Sequence, residues 1–85
     1  MHILVVDDEI VVLHEQTQEI RQVFPEAEIH EETNPLSALA WSRELKVRGE
    51  TLSYAFLDVR MQEMDGIGLA HRLRDEHRQV TLLFC

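Results

Sequence analysis

The chain has 85 residues, 45% hydrophobic and 28% charged, which bounds it to one globular unit, because a chain this short buries only about 60% of its unfolded surface. Sixteen acidic against eight basic side chains give a formal charge of -8, and that argues against nucleic-acid binding through its own surface, where affinity rests largely on Lys and Arg neutralising phosphates. The single cysteine, Cys85, excludes an internal disulfide and suits a reducing compartment. Residues Met1 to Asp7 have no basic region and only a short apolar run, so no signal peptide, no membrane partner and a cytoplasmic location are expected.

Ile3-Leu4-Val5-Val6 is an unalternating, β-branched run that stops at Asp7-Asp8, as a strand buried on both faces of a parallel sheet reads. Ile10, Leu13, Thr17, Ile20 and Phe24 then recur at helical spacing, and Pro25 forbids continuation. Ala27 to Glu31 alternates small or apolar with polar residues, which predicts a half-covered edge strand. Thr33-Asn34-Pro35 is a helix start, with Asn as N-cap and Pro at the first helical position. Leu36, Leu39, Ala40 and Val47 are the expected buried face of that helix, and Gly49 closes it.

Leu52 to Leu57 is a second apolar run that again delivers an acid, Asp58, at its carboxyl end. Asp65-Gly66 signals a turn, Ile67, Ala70, His71 and Leu73 set the spacing of a third helix, and Val80 to Phe84 is a fourth apolar run. Four strands alternating with three helices imply βαβ units, parallel strands and an α/β class. Ligands of such sheets lie beyond the carboxyl ends of the strands, at the point where the strand order reverses. Asp7, Asp8 and Asp58 all sit at such ends.

Three carboxylates drawn together repel one another, and a hard divalent cation relieves them. Mg²⁺ is typically held by one or two carboxylates while phosphate oxygens complete its shell, leaving a third carboxylate to act as an in-line nucleophile. The blander readings are that Asp7 and Asp8 cap the first helix and that Asp58 is an ordinary strand-end turn former. The joint placement of all three weighs against both.

Val5-Val6-Asp7-Asp8-Glu9, Phe56-Leu57-Asp58 and the loop Asp58 to Gly66 resemble, in their motifs and joint spacing over the whole chain, the receiver domain of two-component response regulators. The resemblance implies a flavodoxin-like (CheY-like) sheet of order 2-1-3-4 and a signalling module that is not itself an enzyme. It implies Asp58 as phosphoacceptor, Mg²⁺ (with Mn²⁺ as an alternative) held by Asp7, Asp8 and Asp58 with the backbone carbonyl of Arg60, and a histidine kinase as phosphate donor. Phe24 to Ile29 followed by Thr33-Asn34-Pro35-Leu36-Ser37-Ala38-Leu39 is similar to receivers that precede a LytTR-type DNA-binding domain. DNA would then be reached only through an effector outside these residues. One departure is Gln62, where receivers usually carry proline.

Against that family, residues 1–85 read as a partial receiver domain that ends before the fourth helix, fifth strand and fifth helix. The hydroxyl residue after the fourth strand and the lysine of the fifth are thus outside it, and slow or absent phosphotransfer is expected. An open fourth strand predicts a homodimer, through pairing of that edge or exchange of elements. The five histidines, His2, His14, His30, His71 and His77, lack a zinc pairing and read as surface or half-buried residues. His2 and His30 are expected to pack as neighbours on adjacent strands. Trp41, Met61 and Met64 read as core or loop packing, the Glu26, Glu28, Glu31 and Glu32 cluster as a solvated face, and Cys85 as a strand residue and not a nucleophile. A haloacid-dehalogenase-type phosphatase needs a second Asp two residues after the first, where Arg60 stands. A receiver-like interaction module that does not cycle phosphate is the other alternative.

Overall fold

β1 (His2–Val6) is the centre of the molecule because its sequence leaves no polar face: Ile3, Leu4, Val5 and Val6 are all wholly inaccessible to solvent. A computed structural model describes residues 1–61 and 64–84 and joins β1 in parallel to β2 (Glu28–Glu32) on one side and to β3 (Leu52–Leu57) on the other. β4 (Thr81–Phe84) pairs in parallel with the far side of β3, so the order is β2-β1-β3-β4, as the sequence resemblance implies. The helices are α1 (Ile10–Val23), α2 (Pro35–Val47) and α3 (Gly66–Glu76). The expectations about Gln62 and about Cys85 lie outside the described residues.

The chain moves one way along the sheet from β1 to β2 and the other way from β2 to β3 and β4. Keeping one hand of crossover therefore requires helices on opposite faces. Strand side chains alternate between those faces, and two cores result. Leu4, Val6, Ala55 and Leu57 pack with Ala38, Leu39 and Leu45 of α2 and Leu69, Ala70 and Leu73 of α3. Ile3 and Val5 pack with Leu13 and Ile20 of α1, and Phe24, Ile29, Tyr54 and Phe56 border them.

The helix boundaries follow local chemistry, but their inward faces depart from the expected ones. Asn34 caps α2, its Oδ1 accepting from the Leu36 and Ser37 N–H groups at 2.7 and 3.2 Å, with Pro35 at the first turn. Gly49, at φ 78°, takes the left-handed conformation after α2 that a side chain would resist. The buried face of α2 is Pro35, Ala38, Leu39, Ser42 and Leu45, whereas Leu36 is 50% and Val47 87% exposed and Ala40 is exposed. Ile10 of α1 and Ile67 and His71 of α3 also face solvent, with Leu69 taking the inward place on α3. Apolar side chains flank each stripe on both sides, so spacing alone could not choose the stripe that meets the sheet.

Two other expectations are corrected. His77 is buried, with 5% of its surface accessible. Its Nδ1 accepts from the Leu52 N–H at 3.3 Å and its Nε2–H donates to the Ser42 carbonyl at 2.9 Å, tying the end of α3 to β3 and α2. The Glu31 and Glu32 carboxylates are not freely solvated: Glu31 accepts from Thr17 Oγ1 at 2.7 Å and meets His14 Nδ1 at 2.9 Å, and Glu32 meets His30 Nε2 at 2.6 Å. Burial pushes the Glu31 carboxyl up, but the Thr17 and His14 hydrogen bonds and the His14 and Arg21 charges outweigh it and hold it below the ordinary value. Trp41, Met61 and Met64 are half-buried against the larger core, as expected.

Candidate functional site

Register brings the acids together. Val6 lies opposite Leu57, so both central strands end at the same level. The residues that leave them continue the ladder: the Asp58 N–H donates to the Val6 carbonyl at 3.0 Å, and the Asp7 N–H to the Glu32 carbonyl at 3.2 Å. Carboxylate oxygens of Asp7, Asp8 and Asp58 consequently lie within 4.8 Å of one another, the one such grouping of possible metal ligands among the described residues. It sits at the carboxyl ends of β1 and β3, beside the reversal of strand order.

Each acid has its own surroundings. Asp7 is buried, Asp58 half-buried and Asp8 exposed. Asp7 Oδ1 accepts the Glu9 N–H at 2.9 Å and Asp58 Oδ1 accepts the Arg60 N–H at 3.1 Å, so both carboxylates are held in place by the backbone two residues on. Burial pushes the Asp7 carboxyl above the ordinary carboxylate value; the Glu9 N–H opposes this, and the negative charges of Asp58 and Asp8 add to it. The capping reading of Asp7 and Asp8 is not what the helix shows: Glu9 occupies the N-cap of α1, and its side chain makes no capping hydrogen bond among the described residues.

The loop after Asp58 is shaped by two residues read from sequence only as a turn. Asp65 caps α3, its Oδ1 accepting from Gly68 N–H at 2.6 Å. Gly66 lies against the strand end, its N–H donating to the Val59 carbonyl at 3.1 Å. A Cβ on Gly66 would run into the Asp58 carbonyl oxygen and come within 2.9 Å of the Asp58 carbonyl carbon. Asp8, Val59, Arg60, Met61 and Asp65 line an open cleft over the site. Arg60 itself is exposed, and among its described bonds the one that serves the acids is its backbone N–H.

This fold has known counterparts. The response regulator receiver domain family matches residues 3–85. The cyclic di-GMP phosphodiesterase response regulator RpfG of Xanthomonas campestris pv. campestris is 31% identical over 85 residues, which cover 98% of this chain and 21% of that protein. The receiver domain of the hybrid histidine kinase CckA superposes with a TM-score of 0.83 at 25% identity, over 99% of this chain and 73% of that one. The receiver domain of the histidine kinase CKI1 from Arabidopsis thaliana, complexed with Mg²⁺ and BeF₃⁻, gives 0.81 at 20% identity over 98% and 63%. A Burkholderia pseudomallei response regulator with a phosphorylated aspartic acid, a calcium ion and citrate gives 0.79 at 18% identity over 98% and 45%. The chain thus spans about a fifth of RpfG and less than two thirds of the latter two solved chains. It belongs to the response regulator receiver domain family, the receiver module of two-component signalling systems.

Proposed function

We propose that Asp58 accepts a phosphoryl group from a phosphohistidine of a histidine kinase, at a site where Asp7, Asp8, Asp58 and the Arg60 carbonyl hold Mg²⁺, with Mn²⁺ able to replace it. The observation that carries this reading is the convergence of three carboxylates within 4.8 Å at the ends of β1 and β3. Burial raises the Asp7 carboxyl and the charges of Asp58 and Asp8 add to it; repulsion among the three is what a hard divalent cation with oxygen ligands relieves. Mg²⁺ and BeF₃⁻ in the CKI1 receiver, and a phosphorylated aspartic acid with calcium in the Burkholderia protein, support it.

In the proposed reaction an Asp58 carboxylate oxygen forms a bond to phosphorus as the donor's phosphorus–nitrogen bond breaks and the imidazole leaves with the electron pair. The Arg60 N–H holds Asp58 Oδ1, and among the described residues nothing donates to Oδ2, which is the oxygen assigned to the attack. When bound, Mg²⁺ supplies positive charge against the oxygens of the group in transfer. The direct partner is the kinase, in the cytoplasm; DNA is reached only through an effector such as a LytTR-type domain. No described helix is long and apolar enough to cross a membrane. Self-association along the outer edge of β4, where Leu83 and Phe84 are 38% and 48% exposed, belongs to the same reading, and light scattering at micromolar concentration tests it.

The deciding experiment is a Mg²⁺ titration with and without beryllofluoride, read by NMR shifts of the β1 and β3 ends, on this chain and on Asp58→Asn. Saturable metal binding with an Asp58-dependent response to the analogue is expected. Absence of both in this chain and in one extended through a fifth strand and fifth helix would favour an interaction module that does not cycle phosphate, whereas binding by the extended chain alone would leave the site as assigned.

A further inference from the structure

The cleft over the acids has a single base on its wall. Of the chain's eight basic residues, Arg60 alone borders it, beside Asp8 and Asp65. Cations elsewhere are engaged: Arg43 and Lys46 meet Glu76, Arg48 meets Glu50, and Arg74 donates to the Val80 carbonyl. The Arg60 guanidinium has neither an ion pair nor a hydrogen bond among the described residues, although two carboxylates share the cleft with it. Asp65 instead turns its Oδ1 to the Gly68 N–H, at 2.6 Å. A guanidinium in open contact with solvent, unclaimed by either neighbouring acid, is available to a third anion.

The backbone places that side chain well for one. The Arg60 N–H already lies 3.1 Å from Asp58 Oδ1, so the Arg60 Cα is one bond, about 1.5 Å, from an atom in contact with the carboxylate. A guanidinium carries five N–H donors in a planar fork that matches phosphoryl oxygens two at a time. Transfer to Asp58 replaces a singly charged carboxylate by a group of about −2 charge, and Asp7 and Asp8 stay beside it. One divalent cation does not cancel that sum. Arg60 breaks no ion pair in turning to the new charge.

We propose that the Arg60 side chain is a phosphoryl clamp: its guanidinium folds over the cleft onto the oxygens of a phosphoryl group carried by Asp58, while its backbone N–H keeps Asp58 Oδ1. The proposal rests on the reading of Asp58 as phosphoacceptor and adds to it a side chain that binds the anion and not the metal. A separation of the two ligands follows. Loss of the guanidinium weakens anion binding, but it does not weaken metal binding, because a nearby positive charge opposes a cation.

The test compares the unaltered chain with Arg60→Gln and Arg60→Lys, both of which keep the backbone N–H and carbonyl. Mg²⁺ affinity is read by NMR shifts at the ends of β1 and β3 without an analogue, and beryllofluoride affinity is read at saturating Mg²⁺. Expected for Arg60→Gln are beryllofluoride binding weaker by about tenfold, the loss of hydrogen bonds between charged groups, and Mg²⁺ binding as tight as before or tighter. Arg60→Lys, a point charge without the fork, recovers part of the loss. Unchanged beryllofluoride affinity in Arg60→Gln overturns the proposal and leaves Asp58 as assigned. Parallel weakening of Mg²⁺ and beryllofluoride also overturns it, since that marks a disturbed loop. An unaltered chain that binds neither ligand, with the same result after extension through a fifth strand and fifth helix, removes the phosphoacceptor reading and the clamp together.

Discussion

The backbone of Gly66 lies so close to the carbonyl of Asp58 that no side chain fits between them. Helix propensity favours Ala over Gly by about 1 kcal/mol, yet forcing a methyl into a packed contact costs about 1–3 kcal/mol, and here the obstacle is backbone that cannot rotate away. Gly66→Ala is therefore expected to lower stability by about 2 kcal/mol and to displace the Asp58 loop. Urea unfolding monitored by circular dichroism, together with Mg²⁺ titration, checks both; an unchanged midpoint with unchanged metal affinity would refute the close approach.

His77 holds two buried backbone groups at once. Removing it leaves the Leu52 N–H without a partner, at a cost of about 1–3 kcal/mol, and takes a second donor from the Ser42 carbonyl, which lies inside α2, so His77→Ala is expected to lose about 2 kcal/mol and His77→Gln to restore part of that. For a domain whose whole stability is of the order of 5 kcal/mol, a loss of about 2 kcal/mol leaves the alanine variant folded at 25 °C and lowers its thermal midpoint by roughly 8–16 °C, which a thermal scan reads.

Ser42 presents the reverse case. It is fully buried and its Oγ has no hydrogen-bond partner among the described residues. Ser42→Ala removes an unpaired hydroxyl from the core and improves helix propensity, and a gain of about 1 kcal/mol is expected. Since the His77 bond goes to the Ser42 carbonyl and not to its side chain, it survives the change. A fall in the urea midpoint would show that the hydroxyl has a partner after all.

The raised Asp7 carboxyl ties stability to both pH and metal. A folded-state value above the unfolded one means that the folded protein holds the proton more tightly. The associated stability is full below the ordinary carboxylate range and is lost as pH rises through the raised value. Asp7→Asn should therefore raise metal-free stability at pH 7 while weakening Mg²⁺ binding by at least about tenfold, or 1.4 kcal/mol. Unfolding curves against pH with and without Mg²⁺ check this; an equal effect of the mutation at pH 3 and pH 7 would sink it.

Most of the architecture was legible because it is written in short-range patterns. The short apolar runs at Ile3–Val6 and Leu52–Leu57 read by length and by β-branched and aromatic content as strands, and each is followed by an acid. Asn34-Pro35 and Gly49 mark helix ends through local backbone chemistry, and the structure places them so. The acidic triad was legible for the same reason, since two parallel strands of a common sheet deliver their carboxyl ends to the same level.

What only the tertiary structure decided is which of several equivalent local choices meets a neighbour. Leu36 and Val47 are as apolar as Leu45, but only Leu45 turns toward the sheet. Glu31 and Glu32 look like any acidic surface until Thr17, His14 and His30 come across to them from other positions. His77 has no feature in the chain that distinguishes it from the exposed His71, because the two backbone groups it serves lie 25 and 35 residues away. Sequence determines an element through forces acting within a few residues; burial, partner and charge environment are set by contacts between residues that are distant along the chain, and these exist only once the sheet and its helices have assembled.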